Sequence, residues 1–253
     1  MDASHSESKS PLPPVPLSPR RFKLGVDPCA YCGTAPSTDR EDPVPIGLYT
    51  PEARAKLQFL KIPSCRPCNL AKSKVDSELI AYLTINRESG WHPEAKRLFS
   101  DKVLRAVSNN HVRMVDHFAS GIDVYDFDSS GAIQQVGYSW QGDASAILEA
   151  IRWIVRGLHW LAYDQSVKDE WSRSKMVEDE EVMKIASMFS LDHTKRTFSQ
   201  GEVFTCALIG KPEDRHNETL WALSFFDSML FLAATRAADL LTEESDKQPI
   251  PQV

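Results

Sequence analysis

The apolar and polar positions along the chain predict a helix first. Leu79, Ile80 and Leu83 recur at helical spacing while Lys72, Lys74 and Glu78 stay polar, so a helix is expected from Asn69 to about Ile85. A second helix is expected from Pro93, because a first-turn proline lacks only a donor that the helix leaves unused. Its buried face is Leu98, Phe99, Val103, Leu104 and Val107, and Asn109-Asn110 ends it. The period then drops to two. Ile122 to Phe127 alternates, Asp128 to Gly131 supplies turn residues, and Ile133 to Tyr138 reads as the partner strand of a hairpin. Behind Asp143, a good capping residue, lies the clearest helical pattern. Ile147, Leu148, Ile151, Ile154, Val155, Leu158 and Leu161 share one broad face, and Trp153 and Trp160 are expected in the same core. Met176 to Phe189 reads as a further helix. Phe204 to Ile209, Leu220 to Phe226 and Met229 to Ala234 read as strands, the last two joined by a tight turn at Asp227-Ser228. Cys206, inside the first of these, reads as an inert buried thiol.

These elements organise an α+β chain. Residues 1–20 are rich in serine and proline without apolar periodicity and are expected to be a disordered or extended arm. An N-terminal module spans 21–108, a mixed helix and antiparallel-strand domain spans 109–242, and 243–253 is a polar tail. A chain of 253 residues can bury a substantial core. No apolar run approaches the roughly 18 residues of a membrane span, and no basic start followed by an apolar run marks a secretory signal. A reducing, cytoplasmic setting is expected. The net charge of −6 excludes a globally basic protein, yet Arg20 to Lys74 holds ten Lys/Arg against five Asp/Glu.

The candidate chemistry lies in that basic stretch. Cys29-Ala30-Tyr31-Cys32-Gly33 and Cys65-Arg66-Pro67-Cys68-Asn69 each carry Cys-x-x-Cys, which lets two thiolates of one tight turn reach one ion. Cys29, Cys32, Cys65 and Cys68 together make a tetrahedral four-thiolate set of the kind structural zinc occupies. Four reduced core thiols are the alternative, and an iron centre of rubredoxin type is disfavoured because Asn69, not glycine, follows the second pair. Between the pairs, Asp39 to Tyr49 reads as loop and short extended chain, since Pro43 and Pro45 exclude a helix. Pro51 to Phe59 reads as a short helix, and Leu60 to Ser64 runs extended into the second pair.

A cysteine turn entering a helix, the motif Cys-x-x-Cys-Asn-x-x-Lys closing on Lys72, and the loop Arg40 to Tyr49 resemble the HNH endonuclease family over residues 27–85. Ile151 to Leu158 more weakly resembles a helix found downstream of that core in some bacterial members. The resemblance implies a treble-clef ββα core and hydrolysis of phosphodiesters in DNA or RNA, assisted by a divalent ion, usually magnesium. It places Asn69 at the metal-binding position, Glu41 before the general base, and Gln58 at the orienting position. The base position itself holds Asp42, or Pro43 if the loop is shifted by one, where the family has histidine. An aspartate with an ordinary pKa of ~3.9 accepts protons poorly at neutral pH, and losing a matched base costs roughly 10²–10⁴-fold in rate. Asp76 lies two turns beyond Asn69 on nearly the same face and is a further candidate; a surface ion pair with Lys72 is its alternative role. None of the seven histidines has ligand spacing, and His92, His111 and His117 are nearest in sequence to supply a substitute base. Arg54, Lys56, Lys61, Arg66, Lys72 and Lys74 are candidate contacts to a nucleic-acid backbone. The resulting expectation is an HNH-type endonuclease with structural zinc and a catalytic divalent ion, weakened by the missing histidine. The alternative is an inactive zinc-stapled module that binds nucleic acid, or a protein partner through the C-terminal domain.

Overall fold

Between its two Cys-x-x-Cys turns the chain folds back on itself. The computed structural model describes residues 17, 21–85, 92–103, 122–127, 133–139, 144–169, 172–177, 196–209 and 219–235. Strand β1 (Asp39–Glu41) pairs antiparallel with β2 (Ile62–Ser64), Asp39 opposite Ser64 and Glu41 opposite Ile62. The long connection carries a 3-10 turn at Ile46–Leu48 and helix α1 (Pro51–Lys56). Thr50 caps α1 by accepting a hydrogen bond from the Ala53 amide at 3.3 Å. α1 stops at Lys56, short of the expected Phe59, and Leu57 is extended.

Helix α2 (Arg66–Ile85) starts three residues earlier than the apolar stripe predicted. Its first turn is anchored by the cysteine loop instead: the Asn69 amide donates to the Cys65 carbonyl at 3.0 Å, and Pro67 sits where no donor is needed. Helix α3 (Pro93–Leu98) begins at the expected proline, is capped by His92, and passes into a π-type turn at Phe99–Val103. The rest of that expected helix, with Leu104, Val107 and Asn109-Asn110, lies outside the described residues. The expected hairpin forms as β3 (Ile122–Phe127) and β4 (Ile133–Ser139), with a register shift at Val124/Tyr125.

Helix α4 (Ala144–Tyr163) buries the face that its periodicity marks, including Trp153 and Trp160; its expected cap, Asp143, lies outside the described residues. The remaining strands form one antiparallel sheet in the order β5-β9-β8-β7-β6. They are β5 (Ser172–Met176), β6 (Arg196–Gln200), β7 (Phe204–Ile209), β8 (Thr219–Phe225) and β9 (Met229–Thr235). Met176, expected to open a helix, instead ends an edge strand: Ser172 to Met176 take their backbone partners from β9, Ser172 opposite Thr235 and Met176 opposite Phe231. Residues 178–189 of that expected helix lie outside the described residues. The β8–β9 turn centres on Phe226 and Asp227, one residue earlier than expected. Their φ angles of +52° and +57° give the twist that a tight hairpin needs. Phe226 is held there by burial, its ring 5.3 Å from that of His92.

α4 is the centre of the core. It packs on α2, on β2 and on the β5/β9 edge of the sheet. Tyr31, Leu48, Ile62, Leu79, Leu83, Ile154, Leu158, Trp221, Phe225 and Phe231 belong to one continuous apolar cluster, so side chains on both sides of the expected boundary near Ser108 share it. Where α4 crosses the β1–β2 unit it carries Gly157. A Cβ there would lie 2.9 Å from the Pro43 Cβ and 3.0 Å from the Ile62 Cδ1, so only glycine permits this approach.

Candidate functional site

The first cysteine turn is shaped by its backbone. The Gly33 amide donates to the Cys29 carbonyl at 2.8 Å, and Gly33 has φ +69°, which a side chain would resist. The Ala30 amide donates to the Pro63 carbonyl at 2.8 Å, tying this turn to β2 and therefore to the second cysteine pair. The sulfurs of Cys29, Cys32, Cys65 and Cys68 all lie within 4.8 Å of one another, and the Cys32–Cys65 separation is 4.0 Å. Tetrahedral zinc with Zn–S bonds of about 2.3 Å sets its sulfurs about 3.8 Å apart, so the four cysteines could bind a metal ion and are compatible with structural zinc. Interaction with the Cys68 sulfur lowers the Cys29 pKa, aided by the amides of Cys32, Cys65 and Tyr31 and opposed by burial. Cys68 is pushed up by the same interaction and by burial. Cys206 stands apart, buried in β7, where desolvation raises it to about 12.

A residue that the sequence reading passed over holds this loop in place. Arg156 of α4 is buried; its Nη2 donates to the Tyr31 carbonyl at 2.8 Å and its Nε to the Val167 carbonyl at 2.9 Å. Its Nη1 lies 3.2 Å from the Asp169 carboxylate, and its guanidinium stacks 4.4 Å from the Trp153 ring. Ser166 adds a hydrogen bond to the Cys29 carbonyl at 3.1 Å. The signals for it were an arginine in an apolar helical face and its place inside the Ile151 to Leu158 stretch.

Beside the cysteines lies a buried polar pocket. Alternation along β1 turns Arg40 outward and Glu41 inward. Lys72, one turn before Asp76 on α2, is wholly removed from solvent, its Nζ 2.5 Å from Asp76 Oδ2 and 3.4 Å from Glu41 Oε1. The expected surface pair of Lys72 and Asp76 is therefore a buried one, because this face of α2 packs on β1. It also removes Lys72 from the candidate nucleic-acid contacts. Burial raises the pKa of Glu41 and of Asp76, and the Lys72 charge opposes it in both. One position beyond the β1–β2 pairing, the Lys61 Nζ lies 2.6 Å from Asp42 Oδ2. Asp42 Oδ1, Asp76 Oδ1 and the Tyr31 hydroxyl are buried without a hydrogen-bond partner. Burial, then the Glu41 and Asp76 charges, pushes the Tyr31 hydroxyl well up.

The other candidates differ in exposure. Asn69 is half-buried in the first turn of α2, and Gln58 is exposed in the extended chain after α1. Lys56, Arg66 and Lys74 are exposed, while Arg54 is half-buried with its Nε donating to the Tyr49 carbonyl at 3.0 Å. Of the described histidines, His92 caps α3, and His159 is buried with Nδ1 3.4 Å from Thr219 Oγ1. His5, His111, His117, His193 and His216 lie outside the described residues. Among the described residues, the four cysteines are the only group of three or more His, Cys, Asp or Glu close enough to hold a metal ion. Glu41, Asp42 and Asp76 are not gathered closely enough to form such a group, and each already faces an ammonium: Lys61 beside Asp42, and Lys72 shared by Glu41 and Asp76. No described helix is long and apolar enough to cross a membrane. No family model, curated protein or solved structure matches the chain.

Proposed function

We propose that this protein is a zinc-stapled relative of the HNH endonucleases that binds nucleic acid and has given up efficient metal-dependent cleavage. The observation that carries this reading is the Lys72 ammonium, held between Asp76 and Glu41, two of the carboxylates that are candidates to serve a catalytic magnesium ion. A divalent ion entering there must displace a buried lysine from two carboxylates. The former histidine position, Asp42, is likewise engaged by Lys61. What remains is a scaffold. The order cysteine turn, β1, β2, cysteine turn, α2 supports a treble-clef ββα unit, and a four-thiolate zinc ion would pin its loops and supply structural stability alone. Lys56, Arg66 and Lys74 stay exposed on this unit, the arrangement that phosphate contacts need.

The test pairs binding with cleavage. Zinc-loaded protein is titrated into labelled DNA and RNA by fluorescence anisotropy at two salt concentrations, and supercoiled plasmid and RNA are incubated with magnesium, manganese or nickel. Salt-sensitive binding that weakens in Lys56→Ala/Arg66→Ala/Lys74→Ala, with substrates left intact, supports the proposal. Nicking that disappears in Asp76→Asn while binding persists would replace it with an active endonuclease. Failure to bind any nucleic acid refutes it.

A further inference from the structure

Two adjoining hollows lie on the solvent side of the first cysteine turn, away from the buried lysine pocket. The smaller, about 350 Å³, is lined by Arg21, Arg40, Lys61 and the ring of Phe22. Three cations and one aromatic line it; Lys61 is paired with Asp42, so Arg21 and Arg40 are the cations left to meet an anion. The larger, about 650 Å³, shares Arg21 and Phe22 and is walled by Trp160, Lys168, Asp27 and Asp164. Phe22 stands edge-on to Trp160 at 6.1 Å, and the Arg40 guanidinium lies 5.8 Å from the Phe22 ring centroid. Arg40 faces this side because its strand neighbours Asp39 and Glu41 take the opposite face of β1.

The charges sort a ligand between the hollows. A phosphate suits the arginine-lined cleft and is repelled by Asp27 and Asp164 in the larger one. A flat heterocycle suits the Phe22 wall of the larger one, where Asp27, which also accepts from the Lys23 amide, and Asp164 offer carboxylate oxygens to exocyclic amines. The volume is that of ordinary small-molecule sites and ample for one nucleoside. A base inside a duplex cannot enter, because it is stacked and paired; a base of a single strand can.

Resting on the nucleic-acid reading above, we infer that the chain binds single strands, seating backbone phosphates against Arg21 and Arg40 and one unstacked, amine-bearing base against Phe22 in the larger hollow. Cytosine and adenine fit the carboxylate-flanked cavity, and thymine and uracil, which lack the exocyclic amine, fit it less well. Neither arginine belongs to the basic set read from the sequence.

The experiment measures anisotropy of labelled dC15, dT15 and a mixed-sequence duplex at several salt concentrations, with wild type, Arg21→Ala/Arg40→Ala and Lys56→Ala/Lys74→Ala. Both arginines are exposed, and unchanged zinc content confirms an intact fold. The expected result is that dC15 binds roughly ten-fold tighter than the duplex and tighter than dT15, an effect the size of one stacked base. The arginine variant abolishes that advantage and lowers the single-strand salt slope by roughly 1.4, from two lost phosphate contacts, leaving duplex affinity in place. The lysine variant weakens single strand and duplex together. Equal affinity for single strand and duplex, or an arginine variant that behaves as wild type, overturns the inference while the broader nucleic-acid reading stands. Absence of binding to all three probes overturns both.

Discussion

Replacing Lys72 by methionine keeps the length and apolar stem of the side chain and deletes only its charge. At an effective dielectric of about 20, the charge separations of 2.5 and 3.4 Å correspond to gross attractions of about 7 and about 5 kcal/mol. The ammonium's own desolvation, several kcal/mol, is recovered when it is removed. The loss is also capped, because an abandoned carboxylate can take up a proton instead of staying charged. From an ordinary pKa of ~3.9, protonation costs about 5 kcal/mol at pH 7.5 and only about 2 kcal/mol at pH 5.5. Lys72→Met is therefore expected to lose roughly 3–5 kcal/mol at pH 7.5 and no more than about 2 kcal/mol at pH 5.5. The direction follows from linkage. Glu41 and Asp76 already bind protons more tightly folded than unfolded, so they shed stability as pH rises from the ordinary carboxylate range through their raised values. Removing Lys72 carries that window further upward. Urea unfolding followed by tryptophan fluorescence at the two pH values, with zinc content checked in each, measures the difference. A deficit under about 1 kcal/mol at pH 7.5, or one that is equal at both pH values, refutes the reasoning. Lys72→Met/Glu41→Gln/Asp76→Asn, which removes the charges together, is expected to recover much of the loss.

Arg156→Ala strips the Tyr31 and Val167 carbonyls of their donor, which is expected to cost roughly 2–4 kcal/mol. It should also speed zinc release to a colorimetric chelator, and Arg156→Lys should not restore the wild-type rate, since one ammonium cannot span those carbonyls and Asp169. Gly157→Ala drives a methyl to within 3 Å of Pro43 and is expected to lose roughly 1–3 kcal/mol in denaturant titration despite alanine's better helix propensity. A variant as stable as wild type would mean that α4 and the Pro43 loop do not meet as closely as described.

What could be read from the residues was whatever repeats at short range. The broad apolar face of α4, the alternating strands β7 to β9 and the doubled Cys-x-x-Cys all carry their signal within a few positions. β5 was missed because Ser-Arg-Ser-Lys-Met is an edge strand with little apolar alternation, defined by the neighbour that it pairs with. Lys72 was misplaced for a related reason. On a helical wheel it is one more polar position beside Lys74, and its burial depends on Glu41, 31 residues earlier in the chain. Arg156 contacts a carbonyl 125 residues away, which no local pattern encodes. Phe226 shifted the turn by one residue because its packing against His92 outweighed the better turn chemistry of Asp227-Ser228.

The reach of Arg156 to the Tyr31 carbonyl has an engineering consequence. The cysteine loops cannot be lifted out as a portable cassette, because the guanidinium bracing one of them is encoded far downstream. A fragment ending before α4 would lose that brace and uncover Tyr31, Pro43 and Ile62 together. Any transplant of this metal-binding unit has to carry its helical buttress along.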